Sequence, residues 1–330
     1  MSSLSSAVPV GRRRLRASLM ALALTALATV GSTAGTATAD EPAAVQHRAV
    51  VDVPGTSGGT GPAAQRALLA HWSPERMAEA LGKEQGARSG SVQSLKSTAD
   101  EAAGGPYSTA VGKLFFDHAN GTPDACTGTV VNSESEVLVL TAAHCLHEGP
   151  GGTWTKNQVF FPAYHDGSGP YGGFTAWTIG TSSLWSSGST ADYEHDYGIV
   201  VVNDDAKGDT VFDKAGGYQI ANDMRAGNQA SLIGYSGPPY DGKHQEFCQE
   251  LVEPSAPPRN MWEVECPNMK PGSSGGPWLL NFNQETGAGF IGGLNSINDG
   301  AKFMASPRFD DPNMRQFFVL MEEIGEARPD

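Results

Sequence analysis

From residue 109 onward the chain predicts an all-β fold, a barrel or a sandwich. Short runs rich in Val, Thr and Phe recur at Thr109–Phe116, Thr127–Val131, Glu136–Leu140, Asn157–Phe161 and Ile199–Val202. They resume at Ala230–Tyr235, Glu246–Val252, Trp262–Cys266, Pro277–Asn281 and Gly289–Ile297. Gly, Pro, Asn and Ser punctuate the gaps, as turns between short strands require. Roughly 220 residues of this kind bury a substantial core, as one double unit or as two small domains.

The elements follow in chain order. Residues 1–39 read as a secretory signal peptide. Arg12, Arg13, Arg14 and Arg16 form a basic n-region, Ala17–Val30 is apolar, and Ala37-Thr38-Ala39 is a small-x-small cleavage site before Asp40. The apolar stretch falls short of the roughly 20 residues a membrane span needs. The general secretory route is favoured, because beyond its arginines the twin-arginine signal is poor. Cleavage removes four basic residues and no acid, moving the formal charge from −14 to −18. Bulk charge of that sign excludes nucleic acid and anionic membranes as partners and favours a soluble monomer.

Residues 40–105 are poor in aromatics and rich in Ala, Gly, Ser and Pro. Ser57-Gly58-Gly59-Thr60-Gly61-Pro62 and Ala103-Gly104-Gly105-Pro106 read as flexible breaks. Between them Ser73 can N-cap a helix with Pro74 at its first position, continuing through Leu81. One helix with two loose flanks buries no core of its own, so 40–105 is read as a propeptide or a flexible N-terminal extension. Residues 106–330 form the main domain. A single packing helix closes it: Asp311 as N-cap, Pro312 next, then Phe317, Phe318, Leu320, Met321 and Ile324 at mixed 3–4 spacing.

Cys126, Cys145, Cys248 and Cys266 all lie in the exported part. An even count in an oxidising compartment implies two disulfides, and four cysteines allow three pairings. The local pairings Cys126–Cys145 and Cys248–Cys266 are expected, each worth about 3 kcal/mol in the chain-entropy model. Cys145 beside His144 and His147 is too crowded for a metal, and no C-x-x-C pair exists, so no metal is expected.

Three separated signatures carry chemistry. His144 follows a buried-strand pattern in Thr141-Ala142-Ala143-His144-Cys145, Asp196 heads the apolar run Ile199–Val202, and Ser274 lies in Gly272-Ser273-Ser274-Gly275-Gly276-Pro277. A serine hydroxyl needs a base to take its proton, and the base needs an orienting acid. Asp192 and Asp204 are rival acids, but neither leads directly into that strand. Small residues around Ser274 free the Gly272 and Ser274 N–H groups to form an oxyanion hole. The order His, Asp, Ser separates hydrolase classes. Gly272-x-Ser274-x-Gly276 also satisfies the nucleophile-elbow pattern, whose histidine must come last. The last histidine here is His244, which excludes that reading.

These signatures resemble those of the trypsin/chymotrypsin superfamily of serine endopeptidases, and within it the secreted bacterial V8-like and trypsin-like enzymes. Phe160-Phe161-Pro162-Ala163-Tyr164, Trp185 and Trp72-Ser73-Pro74-Glu75-Arg76-Met77 extend the likeness, which covers roughly 107–325. The resemblance implies two antiparallel six-stranded barrels with the site in the cleft between them. It implies His144 as general base, Asp196 as its orienting acid, Ser274 as nucleophile, and a peptide or protein substrate. It implies no cofactor, and a disulfide Cys126–Cys145 beneath the histidine. Two departures stand out. Ser273 replaces the aspartate that animal members pair with a new N-terminal amine, so activation is expected by relief of blockage by 40–105. Asn268 stands where trypsin has an acid and Leu294 where glutamyl endopeptidases have histidine. Asn268, Met269, Leu294 and Ser296 are therefore expected to line a neutral or modestly apolar pocket. The reading is a secreted serine endopeptidase. The alternatives are a catalytically silent binding protein on the same scaffold and an esterase using the same triad.

Overall fold

The computed structural model describes residues 50–51, 61–86, 107–187, 189–300 and 302–328. The expected signal peptide at 1–39 lies outside the described residues, as does most of 40–106. The N-terminal half is built from β1 (Val50–Val51), β2 (Val111–Asp117), β3 (Pro123–Val130), β4 (Leu138–Thr141), β5 (Lys156–Pro162), β6 (Phe174–Thr181) and β7 (Gly198–Val202). Strands β5-β2-β3-β4-β7-β6 pair antiparallel in that order and close into a six-stranded barrel. Closure falls to β6, which is long enough to pair β5 at Phe160↔Phe174 and β7 at Thr181↔Gly198. All five residues of β7 are buried, which is why it reads as a continuous apolar run and not an alternating one.

The C-terminal half contains β8 (Gln219–Ile220), β9 (Gln229–Gly234), β10 (Glu246–Leu251), β11 (Glu253–Pro254), β12 (Trp262–Glu265), β13 (Pro277–Asn283), β14 (Ala288–Leu294), β15 (Ile297–Asn298) and β16 (Phe303–Ser306). They form two sheets, β10-β9-β13-β14-β8 and β11-β12-β16-β15. The second expected barrel is thus two sheets wrapped around Trp278, Leu232 and Val264. Cys248 on β10 and Cys266 just after β12 staple one sheet to the other, with Cα atoms 5.9 Å apart. Both local disulfides are present, and among the described residues no cysteine is free.

Helices frame the barrels. The C-terminal helix Pro312–Glu326 starts as anticipated, Asp311 accepting from Asn313 N–H at 2.8 Å, and it buries Met314, Phe317 and Met321. Two helices precede the barrel, α1 (Pro62–His71) and α2 (Pro74–Gly86). The second begins at Ser73 and Pro74 as expected; the first lies where a flexible break was expected to end. The pair packs on the barrel. Trp72 is 3% exposed, its ring stands 5.4 Å from Phe115, and its Nε1–H donates to Asn157 O at 2.7 Å. Asp117 accepts from Arg76 at 2.6 Å, from His71 at 2.7 Å and from Asn157 at 2.8 Å.

Candidate active site

His144 sits in a single 3₁₀ turn, Ala143–Cys145, directly after β4. The Cys126–Cys145 disulfide pins that turn to β3, and Trp185 holds it from outside by donating Nε1–H to His147 O at 2.8 Å. Asp196 lies just before β7, and β7 pairs with β4, so the strand register delivers Asp196 and His144 to the same barrel end. Asp196 is fully buried and accepts three hydrogen bonds. His144 N–H donates to Oδ1 at 2.8 Å, His144 Nδ1–H to Oδ2 at 2.8 Å, and Ser296 Oγ–H to Oδ2 at 2.6 Å. A carboxylate only accepts, so the proton of a neutral His144 sits on Nδ1 and its Nε2 is left as a lone pair.

The charges reinforce this pairing. Burial is the largest influence on Asp196 and pushes its carboxyl up. The His144 charge, with the bonds from His144 and Ser296, overcomes burial and holds the carboxyl below its ordinary value. Burial likewise pulls the His144 imidazole down, but the Asp196 charge and hydrogen bond, with a smaller pull from Asp124, raise it above the ordinary histidine value.

The turn that carries Ser274 packs closely on β3 and on the end of β4. Thr127 N–H donates to Ser274 O at 2.8 Å, and Thr141 Oγ–H donates to Thr127 O at 2.8 Å. Gly275 has φ +83°, and a Cβ there would stand 2.2 Å from Thr141 Oγ1 and 2.8 Å from Ala142 N. Only glycine lets the turn that carries Ser274 lie against the two residues that lead into His144. Gly272, at φ +93°, shapes the preceding turn. Among the described residues neither Gly272 N–H nor Ser274 N–H donates to a protein acceptor.

The expected pocket residues divide. Ser296 is 5% exposed and its hydroxyl is committed to Asp196. Leu294 is fully buried in β14, its N–H bound to Ser306 Oγ at 2.9 Å. Met269 is buried, and half-buried Asn268 donates its amide to Phe247 O at 2.8 Å. Ser273 is fully buried, its hydroxyl without a hydrogen-bond partner among the described residues.

Asn295 is the residue the chain's pattern hides. Fully buried, it donates Nδ2–H to Ser273 O at 3.1 Å and accepts from Trp278 Nε1–H at 2.9 Å. Its backbone also bonds Gly275 N–H and Gly276 O, so it clamps both sides of Ser274. An amide directly after the apolar strand β14 is the signal that could have found it, because a buried amide must have partners.

The known proteins that share these features are proteases. The family model for the trypsin-like peptidase domain matches residues 126–286. A glutamyl endopeptidase of Bacillus licheniformis is 27% identical over 120 residues, and the match spans 36% of this chain and 35% of that enzyme's length. The thermostable serine protease AL20, from an extremophilic microorganism, is 31% identical; 66% of this chain covers 99% of it at a TM-score of 0.59. The protease Anisep of Arthrobacter nicotinovorans is 27% identical, with 66% and 97% of the two chains covered at a TM-score of 0.58. The chain belongs to the trypsin-like peptidases, as a serine-type endopeptidase of the chymotrypsin fold.

Proposed function

We propose that this enzyme is exported and cleaves peptide bonds through His144, Asp196 and Ser274. The observation that carries the reading is the buried Asp196 carboxylate, which grips both the backbone and the Nδ1–H of His144. That grip leaves Nε2 as the acceptor a general base needs. Ser274 Oγ attacks the scissile carbonyl carbon while Nε2 takes the hydroxyl proton. The C–N bond then breaks as that proton passes to the leaving amine. Water, activated by the same nitrogen, cleaves the acyl ester and restores Ser274. The unbonded Gly272 and Ser274 N–H groups meet the developing oxyanion, a contribution of about 10²–10³ in rate per donor. Two disulfides suit an oxidising, extracellular setting.

The pocket is neutral on this reading. Asn268 contributes no charge and spends its amide on Phe247 O, while Met269 and Leu294 supply apolar bulk. A neutral or modestly apolar residue is expected before the scissile bond. A peptide-library profile dominated by Glu or Arg would overturn that preference. Ser274→Ala tests the triad: turnover should fall by about 10⁶. Labelling by a fluorophosphonate probe should vanish in the variant. Retained proteolysis would reject the assignment, and an unlabelled wild type would favour a silent scaffold.

A further inference from the structure

A cluster away from Ser274 has the makings of a metal centre. His165 and Asp166 stand in the loop after β5, on the N-terminal barrel. His244 stands in the loop between β9 and β10, in the C-terminal half. Asp166 faces both rings: Oδ2 lies 3.1 Å from His165 Nε2 and Oδ1 lies 3.1 Å from His244 Nε2. The three ligand atoms all fall within 4.8 Å of one another, and the two rings stand 4.6 Å apart. Ligands at about 2.0–2.1 Å from a tetrahedral ion are spaced about 3.3 Å apart, and each ring nitrogen lies near that distance from its own Asp166 oxygen.

The surroundings are built to hold this shape. His165 and Ser168 exchange both backbone hydrogen bonds at 2.8 Å across a two-residue turn. Asp166 and Gly167 in that turn have φ +49° and +83°, the left-handed pair such a turn demands. On the other side Asp241 Oδ2 accepts from His244 Nδ1–H at 2.8 Å, and Asp241 Oδ1 accepts from Lys243 N–H at 2.8 Å. A carboxylate on the far nitrogen is the usual outer partner of a metal-bound histidine, fixing tautomer and ring plane. Between the two loops, Tyr235 OH donates to Tyr164 O at 2.8 Å.

His195 provides an internal contrast. It too stands between two carboxylates, Asp192 at 2.8 Å and Asp311 at 3.0 Å. As at His244, the acids face opposite nitrogens, but among the described residues no further ligand joins either of them within ligating distance. At His244 a second histidine converges on the same carboxylate.

We propose that His165, Asp166 and His244 bind one divalent first-row transition ion, zinc being the best match, with Asp241 orienting His244. Two imidazoles and one carboxylate form a borderline donor set that selects zinc over calcium or magnesium. Three protein ligands leave one position for water, and the exposed Asp166 gives the ion a way in from solvent. The ion clips the loop of one barrel to that of the other. Its effect reaches the pocket side, because the same β9–β10 loop holds the 268–271 segment. Ser236 Oγ–H donates to Asn268 O at 2.6 Å, and Gly237 N–H to Pro271 O at 2.8 Å.

The site stands apart from the triad, and its test does not depend on activity. Chelator-stripped full-length protein is dialysed against micromolar zinc chloride, and bound metal and melting temperature are measured. One equivalent of zinc should bind and raise the midpoint by about 5–10 °C at a hundredfold excess over Kd. His165→Ala, Asp166→Asn and His244→Ala should each lose both the ion and the shift. His165 is the most exposed of the two histidines, so its variant should fold even if the His244 variant does not. His144→Ala should keep the ion, which separates this centre from zinc caught at the active site. No binding by wild type, or binding that survives His165→Ala, would overturn the proposal.

Discussion

Asp196 is the carboxylate on which the proposed chemistry turns. Removed from water entirely, it is tolerable only because three hydrogen bonds and the facing imidazole replace its hydration. Its charge raises His144 above the ordinary value of 6.5 against the pull of burial. A raised pKa keeps the imidazole protonated to higher pH, and Nε2 can accept a proton only once that charge is gone. The kcat/KM profile should therefore rise with pH along a limb above 6.5. Asp196→Asn removes the charge and leaves burial dominant, so the limb should move below 6.5 while kcat drops about 10⁴-fold. A pH–rate profile of both proteins checks this; an unmoved limb would mean another group titrates. The residues proposed to do the chemistry were conspicuous in the chain because their neighbours are distinctive. Residues that hold them were not. Asn295 and the Asp196 contact of Ser296 depend on partners some twenty and a hundred positions away, a distance local pattern does not span.

At the level of elements, strands bounded by clear turn signals were readable almost to the residue, as the fully buried β7 and the half-exposed β10 illustrate. The strand β6 was not anticipated, although it closes the barrel. Its sequence Phe-Thr-Ala-Trp-Thr-Ile-Gly-Thr sits between Gly-rich segments that mimic loop composition. Helix α1 was hidden differently: Pro62 stands at its first position, but Gly61 before it offers no side-chain cap, and a Gly-Pro step reads equally as a loop. Its partner α2 had Ser73 and Pro74 to announce it. The two helices cannot form a core alone, and they find one on the barrel through Leu68, Trp72, Met77, Ala80 and Leu81. Trp72 is the anchor. Trp72→Ala would remove the contact with Phe115, leave Asn157 O short of a donor and open a cavity. A loss of about 3–5 kcal/mol is expected by chemical denaturation of the full chain. A loss under about 1 kcal/mol would show that the helices rest on the barrel without being part of it.

For the molecule as a whole the open question is where the folded unit begins. Composition makes 40–105 look dispensable, because it is Ala-, Gly- and Ser-rich and holds few aromatics. Packing argues otherwise for 61–86. Five of its side chains are buried against the barrel, and each large apolar side chain so placed is worth roughly 1.5–3 kcal/mol. Asp117 also turns inward to meet Arg76 and His71, and its side chain is only 4% exposed. Among the described residues, no hydrogen bond or ion pair joins 61–86 to His144, Asp196 or Ser274. The contacts the helices do make are with the barrel wall, and these bear on its stability. A chain beginning at Tyr107 should therefore melt on the order of 10 °C lower than one beginning at Gly61. It should still be labelled at Ser274 by a fluorophosphonate below its midpoint. The intact mass of the protein isolated from its native host then decides whether the cell keeps these helices, and a mature form that includes residue 61 is expected. Equal melting points for the two chains, together with a mature mass that starts after Gly86, would return 61–86 to the role of a discarded leader.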